Sequence, residues 1–264
     1  MEIKAVKLYE GGFMTQPFAM GGGVSEPVFD ETRTYESSLQ NYLIDTGSEV
    51  ILIDTGIPKE APDTPAKEGQ KIYQGKRIHD YVTALSHLGY KPEDVTRILL
   101  THKHPDHSGE LRSFPNAKIY LSKAEAEALK LSGDNIVPVE FQDGAYHNFE
   151  ASEKITDGVY FLPAPGHTKG NSIVIAENDG LFYLIHGDIT YTDAALIENR
   201  LSVVFEDLEA ARETLTKVRS FISQNPTVYL STHTPEGLTN LDEKDHEALE
   251  SPLRHQLPPF LIPW

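Results

Sequence analysis

The sequence predicts an α/β fold in which mixed sheets are covered by helices. Three observations lead there. Short strand-like apolar runs alternate with helical patterns along most of the chain. Two pairs of runs sit close enough to be hairpins, which an all-parallel barrel does not contain: Ile44 and Val50 flank Asp45-Thr46-Gly47-Ser48, and Ala176 and Leu181 flank Glu177-Asn178-Asp179-Gly180. Finally, 264 residues at 39% hydrophobic and 24% charged are an ordinary globular composition, long enough to bury a sizeable core.

Taken in order, the strand-like runs are residues 5–9, 40–44, 50–54, 97–100, 118–121, 159–162, 172–176, 181–185 and 227–230. A helix is predicted over 76–88, where Ile78, Tyr81, Val82, Leu85 and Leu88 share one face and Gly89 supplies a stop. A second follows Ser122, with Glu125 three residues on completing a capping box. A third covers 208–222, with Leu208, Ala211, Leu215, Val218 and Ile222 on its apolar face. Residues 57–75 and 133–153 read as polar, irregular insertions, the kind of long loop that often serves as a lid. No internal repeat, low-complexity tract or clear linker is visible, so a single domain over 1–264 is expected.

Twenty-three Lys and Arg against 40 Asp and Glu leave a net charge of −17. That argues against nucleic acid or an anionic membrane as partner, because both reward a basic surface. With no cysteine, the chain has no disulfide, thiolate nucleophile or Cys-ligated metal. The first residues lack the pattern of a signal peptide, and no apolar run approaches the roughly 18 residues of a membrane helix. A cytoplasmic location and a small-molecule substrate are the expectations; the oligomeric state, monomer or homodimer, is left open.

The sharpest feature is Thr101-His102-Lys103-His104-Pro105-Asp106-His107, directly after a strand and before a helix expected to begin near Ser108. Composition alone would produce its His-x-His-x-Asp-His pattern in roughly one such chain in a thousand, so it reads as a metal-binding motif. Further candidate ligands fall at other strand ends: His167 after 159–162, Asp188 after 181–185 and His233 after 227–230. Seven ligands exceed what one tetrahedral zinc with an open position takes, and suit two ions sharing a carboxylate. Water held between such ions is a hydroxide nucleophile near neutral pH, which points to hydrolysis.

This set resembles the metallo-β-lactamase superfamily in order, spacing and strand-end placement, over nearly the whole chain. The run from Val50 to Gly56 also resembles the family's early strand and turn. The resemblance implies an αβ/βα sandwich with a dimetal site at one edge. His102, His104 and His167 would hold the first ion, Asp106, His107 and His233 the second, and Asp188 would bridge them, with Zn²⁺ the expected metal. Tyr191, three residues after Asp188, is similar to the tyrosine of the N-acyl homoserine lactonases, as is the stretch from Glu68-Gly69-Gln70 through Arg77-Ile78 to Asp94. The implied activity is opening of a lactone ring. Tyr191 would polarise the carbonyl, and Asp106 would relay a proton to the leaving group. Pro105 departs from that branch, whose members carry an aromatic contacting the acyl chain there.

A glyoxalase II-like thioesterase shares the ligand pattern, but only 31 residues follow His233, too few for that family's helical C-terminal domain. A β-lactamase, a phosphodiesterase and a non-enzymatic metal-binding protein are weaker alternatives. Asp45-Thr46-Gly47 and Asp54-Thr55-Gly56 spell the aspartic-protease signature, yet two copies at opposite ends of one short strand cannot meet around a two-fold axis; both read as turns. Gly21-Gly22-Gly23 reads as a flexible loop. His79 and His87 are placed on the first helix, and His147, His246 and His255 in solvated sequence. His186 is a candidate support for Asp188, while Met14, Phe18 and Tyr73 lie in segments that either cover the site or pack elsewhere.

Overall fold

The computed structural model describes residues 1–24 and 29–246. His255 and the terminal prolines Pro252, Pro258, Pro259 and Pro263 lie outside that range. In chain order the elements are β1 (Glu2–Thr15), α1 (Gln16–Met20), β2 (Thr34–Asp45), β3 (Val50–Ile53), β4 (Ile72–Arg77), α2 (Tyr81–His87) and β5 (Val95–Leu99). Next come α3 (Pro105–Ser108), β6 (Lys118–Ser122), α4 (Lys123–Leu129), β7 (Ile136–Val139), β8 (Glu153–Thr156) and β9 (Val159–Pro163). The chain continues through β10 (Ser172–Asn178), β11 (Leu181–Ile185), α5 (Asp193–Ile197), α6 (Leu208–Gln224), β12 (Thr227–Leu230) and α7 (Glu236–Glu243).

Two sheets form, ordered β4-β1-β2-β3-β5-β6-β7 and β12-β11-β10-β9-β8. Both are mixed. The first is antiparallel from β4 to β3 and parallel from β3 to β7; the second is antiparallel except for the parallel pair β11–β12.

The two-residue period of the strands decides what each sheet buries. Tyr42, Ile44, Ile51 and Ile53 meet Val174, Ala176, Tyr183 and Ile185 between the sheets. The alternate residues Leu43 and Leu52 face outward onto Tyr81, Ala84 and Leu85 of α2 and Ala126 of α4. On the other side Ile173, Ile175 and Leu184 pack against Leu215, Val218 and Phe221 of α6. Helix, sheet, sheet and helix therefore stack as the expected αβ/βα sandwich.

Several local expectations need correction. The helix placed over 76–88 begins only at Tyr81, capped by the Asp80 carboxylate, which accepts from the Thr83 amide. Its supposed first turn is instead the end of β4, because Ile72–Arg77 pairs with β1. That places His79 before the helix. The insertions 57–75 and 133–153 hold the start of β4 and all of β7, strands whose mixed polarity suits sheet edges. In α6, Leu208 is exposed, while Thr214 and Phe221 join the buried face.

Candidate metal centre

Every candidate ligand sits where a strand or short helix ends at one rim of the sandwich. His102 and His104 follow β5, and Asp106 and His107 lie in α3, which starts at Pro105, earlier than expected. His167, Asp188 and His233 follow β9, β11 and β12. Because β3 and β5 run parallel, Asp54 at the end of β3 arrives beside them.

The seven side chains converge as two groups. His102, His104, His167 and Asp188 form one, and Asp106, His107 and His233 the other; in each, the offered ligand atoms lie within 4.8 Å of one another. In the first, His104 Nδ1 is 3.1 Å from His102 Nε2 and 2.9 Å from His167 Nε2. In the second, His107 Nε2 and His233 Nε2 are 3.4 Å apart, and Asp106 Oδ2 is 3.7 Å from His233 Nε2. Asp188 faces both. Its Oδ2 is 3.3 Å from His167 Nε2, and its Oδ1 is 3.2 and 3.1 Å from His107 and His233 Nε2.

The outward nitrogens fix three tautomers. His167 Nδ1 lies 3.0 Å from the Val204 carbonyl, which only accepts, so Nδ1 carries the proton. His107 Nδ1 donates to Asp54 Oδ2 at 2.7 Å. The Thr101 hydroxyl gives its one proton to the Asp54 carboxylate, so at 3.0 Å it accepts from His102 Nδ1–H. All three Nε2 lone pairs then point into the cluster, the arrangement that a metal-ligating histidine takes.

Electrostatics agree with a cation at this place. Burial foremost, then neighbouring His107, pushes the His102 pKa well below its ordinary value and keeps the ring neutral. At His107 burial also opposes charge, but Asp188 and Asp54 outweigh it and raise the pKa well above normal, so the two carboxylates favour positive charge at this ring, a proton on Nε2 or a metal ion in its place. Burial disfavours the charged form of Asp188 too, yet His233, His107 and His167 hold its carboxyl well below the usual range. Asp188 Oδ1 is buried without a hydrogen-bond partner among the described residues. A negative atom in that state, ringed by lone pairs, fits divalent ions.

Two supporting residues are not visible from the sequence alone. Asp54 reads there as a turn residue; in the fold it accepts from the Thr101 amide at 2.7 Å and its hydroxyl at 2.8 Å, besides His107. The resemblance of its turn to the family's early turn is the one available signal. The companion Asp45, at the end of β2, accepts from the Gly47 amide and the Tyr90 hydroxyl. For Glu125 the expectation is a closed capping box. Ser122 does cap α4, but the Glu125 carboxylate turns instead to the Thr168 hydroxyl and Gly170 amide, at 2.8 and 2.9 Å, pinning the loop that carries His167. His186 does not support Asp188 by a hydrogen bond. Both its ring nitrogens lack partners among the described residues, its ring stacks on Tyr229 at 4.1 Å, and burial lowers its pKa to about 3.

A cavity of about 410 Å³ opens onto the second group, with Asp106, His233 and Tyr191 in its lining. Phe18, Ile57, Ile72 and Tyr73 supply apolar wall, so Phe18 and Tyr73 do cover the site. Met14 packs in the core behind Tyr191. Tyr191 itself is buried, its ring 5.0 Å from that of His233 and stacked on Phe18 at 5.4 Å. Burial first, then Asp188 and Asp106, raises its pKa well above normal, so it remains a hydrogen-bond donor.

Comparison with known proteins agrees with this fold. An N-acyl homoserine lactonase of Bacillus cereus is 29% identical over 197 residues, spanning 71% of this chain and 78% of its own. The N-acyl homoserine lactonase AiiA of Bacillus thuringiensis subsp. kurstaki is 26% identical, over 73% and 79%. A solved structure of a B. thuringiensis AiiA mutant with N-decanoyl-L-homoserine bound at the active site superposes with a TM-score of 0.68 at 21% identity, covering 91% of this chain and 97% of that one. AidC, described as a dizinc quorum-quenching lactonase, superposes with a TM-score of 0.62 at 19% identity, covering 88% and 90%. Residues 40–256 match the family description of the metallo-β-lactamase superfamily. The chain belongs to that superfamily, and within it is a metal-dependent hydrolase.

Proposed function

We propose that this hydrolase opens the ring of N-acyl homoserine lactones or closely similar lactones, using two zinc ions. The observation that carries the reading is Asp188, whose two oxygens face separate ligand groups, the second of which opens onto a partly apolar cavity through Asp106 and His233. The names of the relatives support the choice of lactone. His102, His104 and His167 would hold the first ion, Asp106, His107 and His233 the second, and Asp188 both. Bound there, the ions would supply an acidified water as nucleophile and Lewis acidity for the ester carbonyl.

The chain's own residues do the rest. Tyr191, protonated and beside His233, donates to the oxygen on which charge develops as the carbonyl is attacked. Asp106, at the cavity wall, relays a proton from the attacking water to the departing alkoxide. Phe18, Ile72 and Tyr73 take the acyl chain, the part that the exposed Pro105 does not contact.

Proton release from short- and long-chain N-acyl homoserine lactones, set beside S-lactoylglutathione, tests the reading. Rapid lactone opening with slow thioester cleavage is expected. Equal rates on both would replace the lactonase reading with a broader thioester and ester hydrolase.

A further inference from the structure

The candidate ligands are not equally well held. The side chains of His102, His107, His167, His233 and Asp188 are 0–3% exposed, whereas that of Asp106 is 22% exposed. A carboxylate at a cavity wall keeps rotamer freedom and competes with water for its partners. Among the described residues Asp106 meets one hydrogen-bond donor, the Gln74 side-chain amide, whose Nε2 lies 2.7 Å from Oδ2. That same oxygen faces His233 Nε2, so the atom held by Gln74 is the atom aimed into the second group.

Gln74 comes from β4, an edge strand that would ordinarily fray, yet its backbone is gripped on both sides of this residue. Gly11 pairs with Gly75 and Phe13 with Tyr73, across a bulge of β1 between Tyr9 and Gly12. A Cβ on Gly12 would fall 2.1 Å from the Tyr73 carbonyl oxygen, and one on Gly75 only 2.0 Å from that of Glu10. Gly75 also takes φ +103°, open to glycine alone at little cost. Two glycines thus let the strands touch where Gln74 must be delivered.

We propose that Gln74 is a positioning residue for the second metal ion, its amide holding Asp106 Oδ2 in the ligating orientation and thereby setting that ion's affinity. The proposal rests on the two-ion reading of the centre. A neutral donor suits this role, because it orders the carboxylate without neutralising it as a lysine would.

The test is zinc uptake by the apo-protein, read against a chromophoric chelator, for wild type and Gln74→Met, which keeps length and removes the donor. Wild type should take two ions. In the variant the first affinity should be unchanged, which also shows that the protein is folded, while the second falls by roughly 10–100-fold. With Co²⁺ in place of zinc, the visible spectrum of the second equivalent alone should shift. Two unchanged affinities overturn the proposal, as does a parallel loss of both, which would mean a merely structural role. A wild type that takes up fewer than two ions overturns the two-ion reading itself, and the proposal with it.

Discussion

The two halves of the candidate metal centre are built in different ways. The first group is closed from within: His102 leans on Thr101, His167 on a backbone carbonyl, and the His167 loop on buried Glu125. The second has one inward anchor, Asp54 on His107, and otherwise faces the cavity through Asp106 and His233. On the proposed reading, a group that would hold an ion permanently and a group that would meet substrate place opposite demands on burial. The fold meets the first with strand ends and the second with peripheral segments, β4 and α1, brought over the rim.

Among the described residues Asp188 is the one whose oxygens face both halves, so its loss should have the largest effect. Asp188→Asn is expected to lower lactone opening by about a thousandfold or more, with fewer than two ions retained by elemental analysis. Full activity with both ions present would contradict a shared ligand.

Next in size is Tyr191→Phe, expected to reduce kcat by roughly 10²–10³ with both ions still bound, the scale for one oxyanion donor. Because burial, reinforced by Asp188 and Asp106, raises the phenol pKa, wild-type activity should show no loss from phenol ionisation up to pH 10. An unchanged kcat in the variant would remove Tyr191 from the chemistry.

The inward anchors should differ in stability. Asp54→Ala strands His107 and Thr101 without their buried acceptor and should cost about 3–5 kcal/mol in urea unfolding. Glu125→Ala should cost less, about 1–3 kcal/mol, since its partners are a hydroxyl and an amide. The reverse order would mean that the first group, not the second, depends more on its anchor.

The smallest effect is expected at the cavity wall. Arg77 donates to the carbonyls of Pro58, Lys59 and Ala61 and pairs with Asp63 at 3.1 Å, holding the 58–63 segment in place. Arg77→Met should raise KM for long-chain lactones about threefold to tenfold and leave kcat nearly unchanged, a loss of uniform binding. A fall in kcat alone would mean that Arg77 acts on the chemistry and not on the wall.

Much of this is legible in the sequence, for a physical reason. Metal ligands need particular side chains at particular spacings, so the run from His102 to His107 stands out, and buried strands such as β10 and β11 carry unbroken apolar runs. The partners of those ligands carry no such mark. Asp54 and Glu125 each sit in a local motif, a turn and a helix cap, that fully accounts for their residue type, and only the tertiary fold turns their oxygens elsewhere. β4 is hidden for a similar reason: Tyr73, Gln74 and Gly75 lack strand periodicity, because one side faces the cavity and the other touches β1 backbone to backbone. Lys76 and Arg77 then blend into the apolar helix pattern that follows.

On the proposed reading, two ions shared by Asp188 would act together on a lactone. The most direct measurement is stepwise zinc titration of the apo-protein with ring opening of N-hexanoyl homoserine lactone followed at each step. Little turnover is expected through the first equivalent and a steep rise through the second, ending at two ions per chain. Full activity at one equivalent, or none at two, would contradict it.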